Sequence, residues 1–148
     1  MPSRFHEQDV AARLKERRRL GSFLDALIKA RASGIRTVQL DYIFCTDDFL
    51  HGINLQFLQH DDFTDIITFD LRRDDSEVRG EIYISVERVA ENATIFGTSY
   101  DRELHRVIFH GALHLCGLGD KTPAEQSAMR AAEDKALGAW YAGKEEAS

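Results

Sequence analysis

The segment at residues 110–120 constrains this chain more than any other feature. It reads His-Gly-Ala-Leu-His-Leu-Cys-Gly-Leu-Gly-Asp, with His110 and His114 four residues apart. On a helix, residues at that spacing lie about 40° apart around the axis and about 6 Å apart along it. The histidines lie beside an apolar stripe formed by Leu104, Ile108, Gly111 and Leu115. We therefore expect a helix packed on a core, with both rings at the border between core and cleft.

A carboxylate follows this helix at a bend. Gly117 is a typical residue just beyond a helix C-terminus, and a glycine-containing turn leads on to Asp120. Two imidazoles and one carboxylate form a set of three protein ligands that leaves a fourth position open, as in catalytic zinc sites. The sequence therefore predicts that His110, His114 and Asp120 bind one metal ion. Zinc is the expected ion, while nickel, iron and manganese remain open on ligand type alone.

Other interpretations of these residues were weighed. Two histidines four residues apart also fit an ordinary helix with one ring at the core edge and one in solvent. Gly111 follows His110, so the general-base glutamate of an HExxH metalloprotease is absent. Glu103 shares the histidine face but lies about 10 Å away along the axis, which leaves it a supporting role. The remaining histidines are interpreted as ordinary residues: His6, His51, His60 and His105.

Apolar periodicity gives an outline of the fold. It predicts helices at residues 7–31, 47–58, 87–96 and 98–116, and strands at residues 37–45, 64–71 and 80–86. The fourth helix is expected to start at Thr98 or Ser99, with Thr98 and Asp101 as a possible capping box, and Thr122, Pro123 and Glu125 predict the start of a fifth. We expect one α+β domain over residues 1–148, with a small mixed β-sheet, about five helices, and the metal site at the end of a central helix.

Composition excludes several classes of protein. Hydrophobic residues make up 43% of the chain and charged residues 30%, which is typical of a globular domain. There is neither a membrane-length apolar stretch nor the apolar segment of a secretory signal, so a cytoplasmic location is expected. A net charge of −6 argues against non-specific coating of nucleic acid. Cys45 and Cys116 are expected to be buried free thiols. The early basic residues are expected to form a solvated helix surface, with a local face that contacts phosphates as the alternative: Arg13, Lys15, Arg17, Arg18, Arg19, Lys29, Arg31 and Arg36.

Several motifs, in order from about residue 50 to residue 135, resemble those of the YbeY family of bacterial rRNA-processing endoribonucleases. HGALHLCG resembles the family's HGxLHLxGxDH segment, whose three histidines bind zinc. TDIITF at residues 64–69 and GEIYIS at residues 80–85 resemble its TNVLSF and GDIxIS strands. Asn54 with Phe57 resembles its LNxxY segment, and Arg102 with Glu103 its RE pair. Two positions depart from the family: Asp120 aligns with the third histidine, and Leu58 stands where members often carry an arginine thought to help bind or cleave RNA.

The resemblance implies a zinc-dependent endoribonuclease that prefers single strands. It would act in small-subunit rRNA maturation near the 3′ end and in ribosome quality control. Its expected partners are rRNA and the small ribosomal subunit, and it is expected to bind neither DNA nor a membrane. Weaker candidates for lining the cleft are Thr64, Thr68, Glu81 and Ser85. The loss of arginine at Leu58 favours an alternative, a ribosome-associated assembly factor with a mainly structural metal. Hydrolysis of a small substrate is a third possibility.

Overall fold

The fold combines one sheet with five helices. The computed structural model describes residues 3–59 and 63–147, with side chains up to residue 143. Within these residues the order is β1 Ser3–Glu7, α1 Arg17–Arg31, β2 Thr37–Cys45, α2 Asp47–Leu58, β3 Ile66–Asp70, β4 Glu77–Ser85, α3 Val86–Phe96, α4 Tyr100–Leu115 and α5 Pro123–Ala147.

The sheet is mixed, as expected. Its strand order is β1-β2-β4-β3, with β1, β2 and β4 parallel and β3 antiparallel to β4. Alternate residues of β2 point into the core and are buried: Val38, Leu40, Tyr42 and Phe44. The predicted α+β class, with a mixed sheet and about five helices, is confirmed.

The N-terminal region is where the sequence prediction is wrong. The helix predicted at residues 7–31 begins only at Arg17, and the unpredicted strand β1 precedes it. Residues 8–16 are irregular because three of them have positive φ angles that no α-helix accommodates: Asp9, Arg13 and Glu16. The Glu7 carboxylate accepts a hydrogen bond of 2.6 Å from the Ala12 amide, and Ala12 and Leu14 are buried. The apolar residues of this segment have helical spacing in the sequence, but they are buried in the core from an irregular backbone and not from a helix.

Helix α4 is the central helix, and it brings the histidines above the sheet. It contacts β3 and β4, and the predicted core stripe is buried. Gly111 allows the close approach, since a Cβ there would lie 2.8 Å from Ile82 Cγ2. The Tyr42 hydroxyl donates a hydrogen bond of 2.8 Å to the carbonyl oxygen of Ile108, which ties the helix to the middle of β2. The C-terminal half of α4 is therefore fixed against the sheet.

The start of α4 selects one of the two predicted start residues, Ser99. Ser99, and not Thr98, is the N-cap, because its hydroxyl accepts a hydrogen bond of 3.1 Å from the Arg102 amide. The Thr98 amide instead donates to the carbonyl oxygen of Ala93 at the end of α3. The proposed Thr98–Asp101 capping box is therefore wrong.

The start of α5 agrees with the prediction. The Thr122 amide donates to Glu125 Oε1 over 3.0 Å, and the Glu125 amide donates to Thr122 Oγ1 over 3.1 Å, which is a capping box. Gly117 has a φ of 104°, and Gly119 lies so close to the Glu125 carboxylate that a side chain there would collide with it. These contacts shape the short connection that carries Asp120.

The early basic residues form a helix surface only in part, because Arg13, Lys15 and Arg36 lie outside helix α1. Of the early basic residues, Arg17 pairs with Glu7, and Arg19 lies over the Trp140 ring at 3.8 Å; the others are exposed. Cys45 is a buried free thiol, as expected, whereas Cys116 is only half-buried.

In the described ranges, every helix is too short or too polar to cross a membrane.

We expect Gly80→Ala to destabilise the protein by about 1–3 kcal/mol. A Cβ on Gly80 would lie 2.7 Å from both Leu115 Cδ1 and the backbone carbonyl oxygen of Phe69, so the strand and α4 would have to separate. Gly52→Ala is the matched control, since nothing lies within 4 Å of a Cβ on this helical residue. Urea denaturation followed by circular dichroism measures both variants, and equal free energies of unfolding would contradict the close packing.

Candidate metal centre

The three predicted metal ligands line one cavity between α2, β3 and the end of α4. This central cavity has a volume of about 330 Å³. Its lining residues are Asn54, Leu58, Thr64, Ile66, Ile67, Thr68, His110, His114 and Asp120. The structure therefore brings together all three candidate ligands and two of the four weaker cleft candidates, Thr64 and Thr68.

Two of the candidate ligands face each other directly. His110 Nε2 lies 3.4 Å from Asp120 Oδ2. On the other side of the ring, His110 Nδ1 lies 2.7 Å from Glu133 Oε2 of α5, and Glu133 is 5% exposed. A neutral ring that donates its Nδ1 hydrogen to Glu133 turns the lone pair of Nε2 toward Asp120. Two acceptor atoms then face each other, an arrangement that requires a cation or a proton between them.

The separation of these two atoms suits zinc. Zinc binds imidazole nitrogen and carboxylate oxygen at about 2.0–2.2 Å in tetrahedral geometry, which places two such ligand atoms about 3.3–3.5 Å apart. The observed 3.4 Å between His110 Nε2 and Asp120 Oδ2 is within that range. A carboxylate bonded to the far nitrogen of a ligating histidine is a common feature of zinc sites, and Glu133 occupies that position.

His114 lies one helical turn further on, at the exposed end of α4. Over residues 3–59 and 63–147, no three His, Cys, Asp or Glu side chains are arranged as a ready three-ligand cluster. His110 and Asp120 form a close pair, and His114 lines the same cavity without joining them in such a cluster. The assignment of all three as metal ligands stays a prediction.

The charges around His110 favour a cation at this position. Burial on its own would lower the pKa of His110, but the hydrogen bond and negative charge of Glu133, with further contributions from Asp120 and Asp65, outweigh it and raise the pKa above its ordinary value. The ring therefore lies in a negative field before any ion is bound. The same field attracts a divalent cation.

A second cavity adjoins the first, and we call it the flanking cavity. It has a volume of about 340 Å³ and is lined by Thr64, Asp65, Ile66, Asn92, Phe96, Glu103, Arg106, Val107, His110, Asp120, Arg130 and Glu133. Burial, partly opposed by the charge of His110, raises the pKa of Asp65. Burial likewise raises the pKa of Glu103, with Arg106 and Arg130 opposing it. Glu103 lines the cavity beside the candidate metal centre, but the carboxylate that contacts His110 is that of Glu133.

Sequence reasoning missed Glu133, although a signal for it exists. The buried stripe of α5 consists of Met129, Ala132, Ala136, Leu137 and Trp140, at helical spacing. Glu133 falls on that same stripe, where an unpaired carboxylate would be costly. Its position therefore indicates a buried partner, and the structure supplies two, His110 and Arg106, the latter at 3.0 Å.

The remaining candidates have other roles. Ser85 caps α3 by accepting from the Arg88 amide, and Glu81 accepts a hydrogen bond of 3.4 Å from the Tyr83 hydroxyl. The His105 ring is buried beside Trp140, with Nδ1 2.8 Å from the carbonyl oxygen of Asp101, as suits a structural histidine. His60 lies outside the described residues.

Comparison with known proteins agrees with the resemblance in the sequence motifs. The family model for Endoribonuclease YbeY matches residues 5–141. Endoribonuclease YbeY of Phocaeicola vulgatus is 53% identical over 108 residues, which cover 73% of this chain and 78% of that protein. The Cytophaga hutchinsonii protein of the same name is 41% identical over 133 residues, covering 90% and 92%. The solution structure of TM1509 from Thermotoga maritima is similar over 99% of this chain and 96% of that chain, with a TM-score of 0.64 and 27% identity.

Proposed function

Because this chain belongs to the YbeY family of endoribonucleases, we propose that it is a metal-dependent endoribonuclease that cuts single-stranded RNA at the central cavity. We further propose ribosomal RNA maturation as the setting, near the 3′ end of the small-subunit rRNA and in ribosome quality control. This setting follows from the family resemblance. Such a substrate would place the protein in the cytoplasm, in contact with the small ribosomal subunit.

One observation supports the metal-dependent mechanism most strongly. His110 Nε2 and Asp120 Oδ2 face each other across 3.4 Å, while Glu133 holds the opposite ring nitrogen. A neutral histidine and a carboxylate in this arrangement form half of a tetrahedral zinc site. His114 would complete the protein ligands, and the cavity leaves room for a phosphodiester beside them.

Each residue has a separate task in this mechanism. His110, His114 and Asp120 would hold zinc, which when bound supplies a Lewis acid that stabilises negative charge on a phosphodiester oxygen. Glu133 fixes the tautomer and the orientation of the His110 ring. Asp65 and Glu103 are the two carboxyls of the flanking cavity suited to hold a proton, since burial raises the pKa of each. Thr68 of β3 and Thr64 just before that strand line the central cavity together with the histidines, and the Thr64 hydroxyl donates to the carbonyl oxygen of Ile66 over 3.3 Å.

Circular single-stranded RNA gives the direct test. A circle has no ends, so only an enzyme that cuts internally converts it to a linear product. Zinc-loaded protein should linearise the circle, and a fully base-paired duplex of the same sequence should remain mostly intact. An intact circle after prolonged incubation with zinc-loaded protein would overturn the proposal. Simple esters and peptides are tested in parallel, and turnover of these compounds in place of RNA would favour hydrolysis of a small substrate.

The assembly-factor alternative is less favoured, because the matching relatives carry the name endoribonuclease. Chelation separates the two functions. We expect a zinc chelator to abolish cleavage and to lower the melting temperature by less than about 5 °C, since α4 and α5 are also joined by apolar packing and by the Arg106–Glu133 ion pair. Zinc added back should restore cleavage. Loss of the folded state on chelation would favour a structural metal instead.

A further inference from the structure

The central and flanking cavities form one groove on both sides of the candidate metal centre. They share four lining residues, which are Thr64, Ile66, His110 and Asp120. RNA bound with a phosphodiester at His110 and Asp120 must therefore place its neighbouring nucleotides along this groove. The two sides differ in chemistry, and that difference indicates which part of a nucleotide each side would accept.

Among the lining residues that the structure describes, arginine side chains occur on the flanking side and not on the central side. The described lining of the central cavity contains neither lysine nor arginine, and Leu58 stands on its wall. The flanking cavity has Arg106 and Arg130. Arg106 is committed, with Glu133 at 3.0 Å and Asp134 at 2.7 Å. Arg130 is exposed, and in the described part of the chain no hydrogen bond or close ion pair holds its guanidinium, although its charge acts to lower the pKa of Glu103. It also lines a third opening together with His110 and Asp120, so it lies beside the candidate centre.

An aromatic ring lies on the same cavity. Phe96, the last residue of α3, lines the flanking cavity and is 61% exposed. Among the residues the structure describes, no aromatic ring packs against it. Single exposed apolar residues are common on protein surfaces. An exposed ring and an exposed arginine on one cavity, beside the candidate site for a phosphodiester, are however the two groups that single-stranded RNA recognition uses.

We propose that the flanking cavity is a subsite for the nucleotide next to the scissile phosphate, with its base stacked on Phe96 and its own phosphate bound by Arg130. This inference rests on the proposed function. The carboxyls of Asp65 and Glu103 line the same cavity and oppose the entry of a phosphate. The uncharged base is therefore the part that enters, and the phosphate stays with Arg130 at the opening. Asn92 offers both a donor and an acceptor to the edge of the base.

Cleavage by the zinc-loaded protein tests the role of Phe96. Phe96→Ala should weaken the apparent affinity for single-stranded RNA, measured from single-turnover cleavage, by roughly 5- to 100-fold. Phe96→Tyr should retain it. Ile95→Ala is the matched control, because Ile95 is the neighbouring residue and is 65% exposed. A further substrate is RNA in which the base next to the mapped cleavage position has been removed. Wild type and Phe96→Ala should bind this RNA with equal apparent affinity, because it has no base to stack on the ring.

The salt dependence of the same affinity tests Arg130. Arg130→Gln should reduce the slope of log affinity against log salt concentration by about 0.7, as expected for one lost phosphate contact with a single strand. Phe96→Ala should leave the slope unchanged. Lys135→Gln, an exposed cation on the same helix but on a different cavity, should also leave it unchanged.

The outcomes separate this inference from the proposed function. If wild-type protein cuts RNA and Phe96→Ala behaves like Ile95→Ala, or Arg130→Gln like Lys135→Gln, the subsite is overturned and the nuclease assignment stands. If wild-type protein neither binds nor cuts RNA, both fail. Phe96 and Arg130 are exposed, so we expect circular dichroism of these variants to match wild type.

Discussion

Replacing His114 with alanine should reduce the rate of single-stranded RNA cleavage by at least about 100-fold. The expected loss is large because even residues that only orient a metal ligand change affinity or activity by about 10- to 100-fold. The ring is exposed at the end of α4, so the free energy of unfolding should change by no more than about 0.5 kcal/mol. Zinc bound per chain, measured by elemental analysis, should fall in parallel with the rate.

His6→Ala serves as the control for the loss of a histidine. His6 is exposed on β1, at the opposite edge of the sheet from β3, and contacts Asp41. Its replacement should leave both cleavage and zinc content unchanged. A His114→Ala protein that cuts as fast as wild type would exclude His114 as a ligand. A zinc content that stays at one per chain despite slow cleavage would move His114 from metal binding to a direct role with RNA.

Glu133→Gln should lower zinc affinity or the cleavage rate by roughly 10- to 100-fold. The carboxylate lies 2.7 Å from His110 Nδ1, where its charge raises the basicity of the ring and fixes its tautomer. Glutamine keeps the size of the side chain but removes the charge. Competition with a chromophoric chelator measures zinc affinity, and single-turnover cleavage measures the rate.

Asp134→Asn provides a matched comparison. Asp134 is the other carboxylate bound to Arg106, at 2.7 Å, and its side chain is 58% exposed and makes no contact with His110 in the structure. Its replacement weakens the same arginine pairing without altering the histidine. If Asp134→Asn and Glu133→Gln lose zinc affinity equally, the effect comes from the position of α5 and not from the bond to His110.

The site was predictable to the extent that it is local in sequence. His110 and His114 share a helix face, and Asp120 follows within the connection fixed by Gly117 and the capping box of α5. Spacing on one helix and turn chemistry are short-range properties, and the structure places all three side chains on one cavity. Their role as metal ligands stays a prediction, because the fold determines where these side chains lie but not whether they bind an ion.

The parts that sequence reasoning missed depend on pairing between distant segments. Strand β1 pairs with β2 in a register that joins Ser3 to Leu40. A five-residue strand at an edge carries too short an alternation to be recognised alone. Glu133 and Arg130 belong to α5, and nothing in the helix pattern of α5 shows that this face meets α4 beside His110. Their roles follow from tertiary packing.

The contact between Glu133 and His110 makes the final helix part of the candidate metal centre, although none of the three candidate ligands belongs to it. A premature stop codon anywhere between positions 121 and 133 would leave every ligand encoded and still remove the carboxylate that orients the first of them. Such truncated chains would also lack the buried Leu137 and Trp140 of α5, so these mutations should behave as null alleles, and a genetic screen would find inactivating lesions well downstream of the histidine motif.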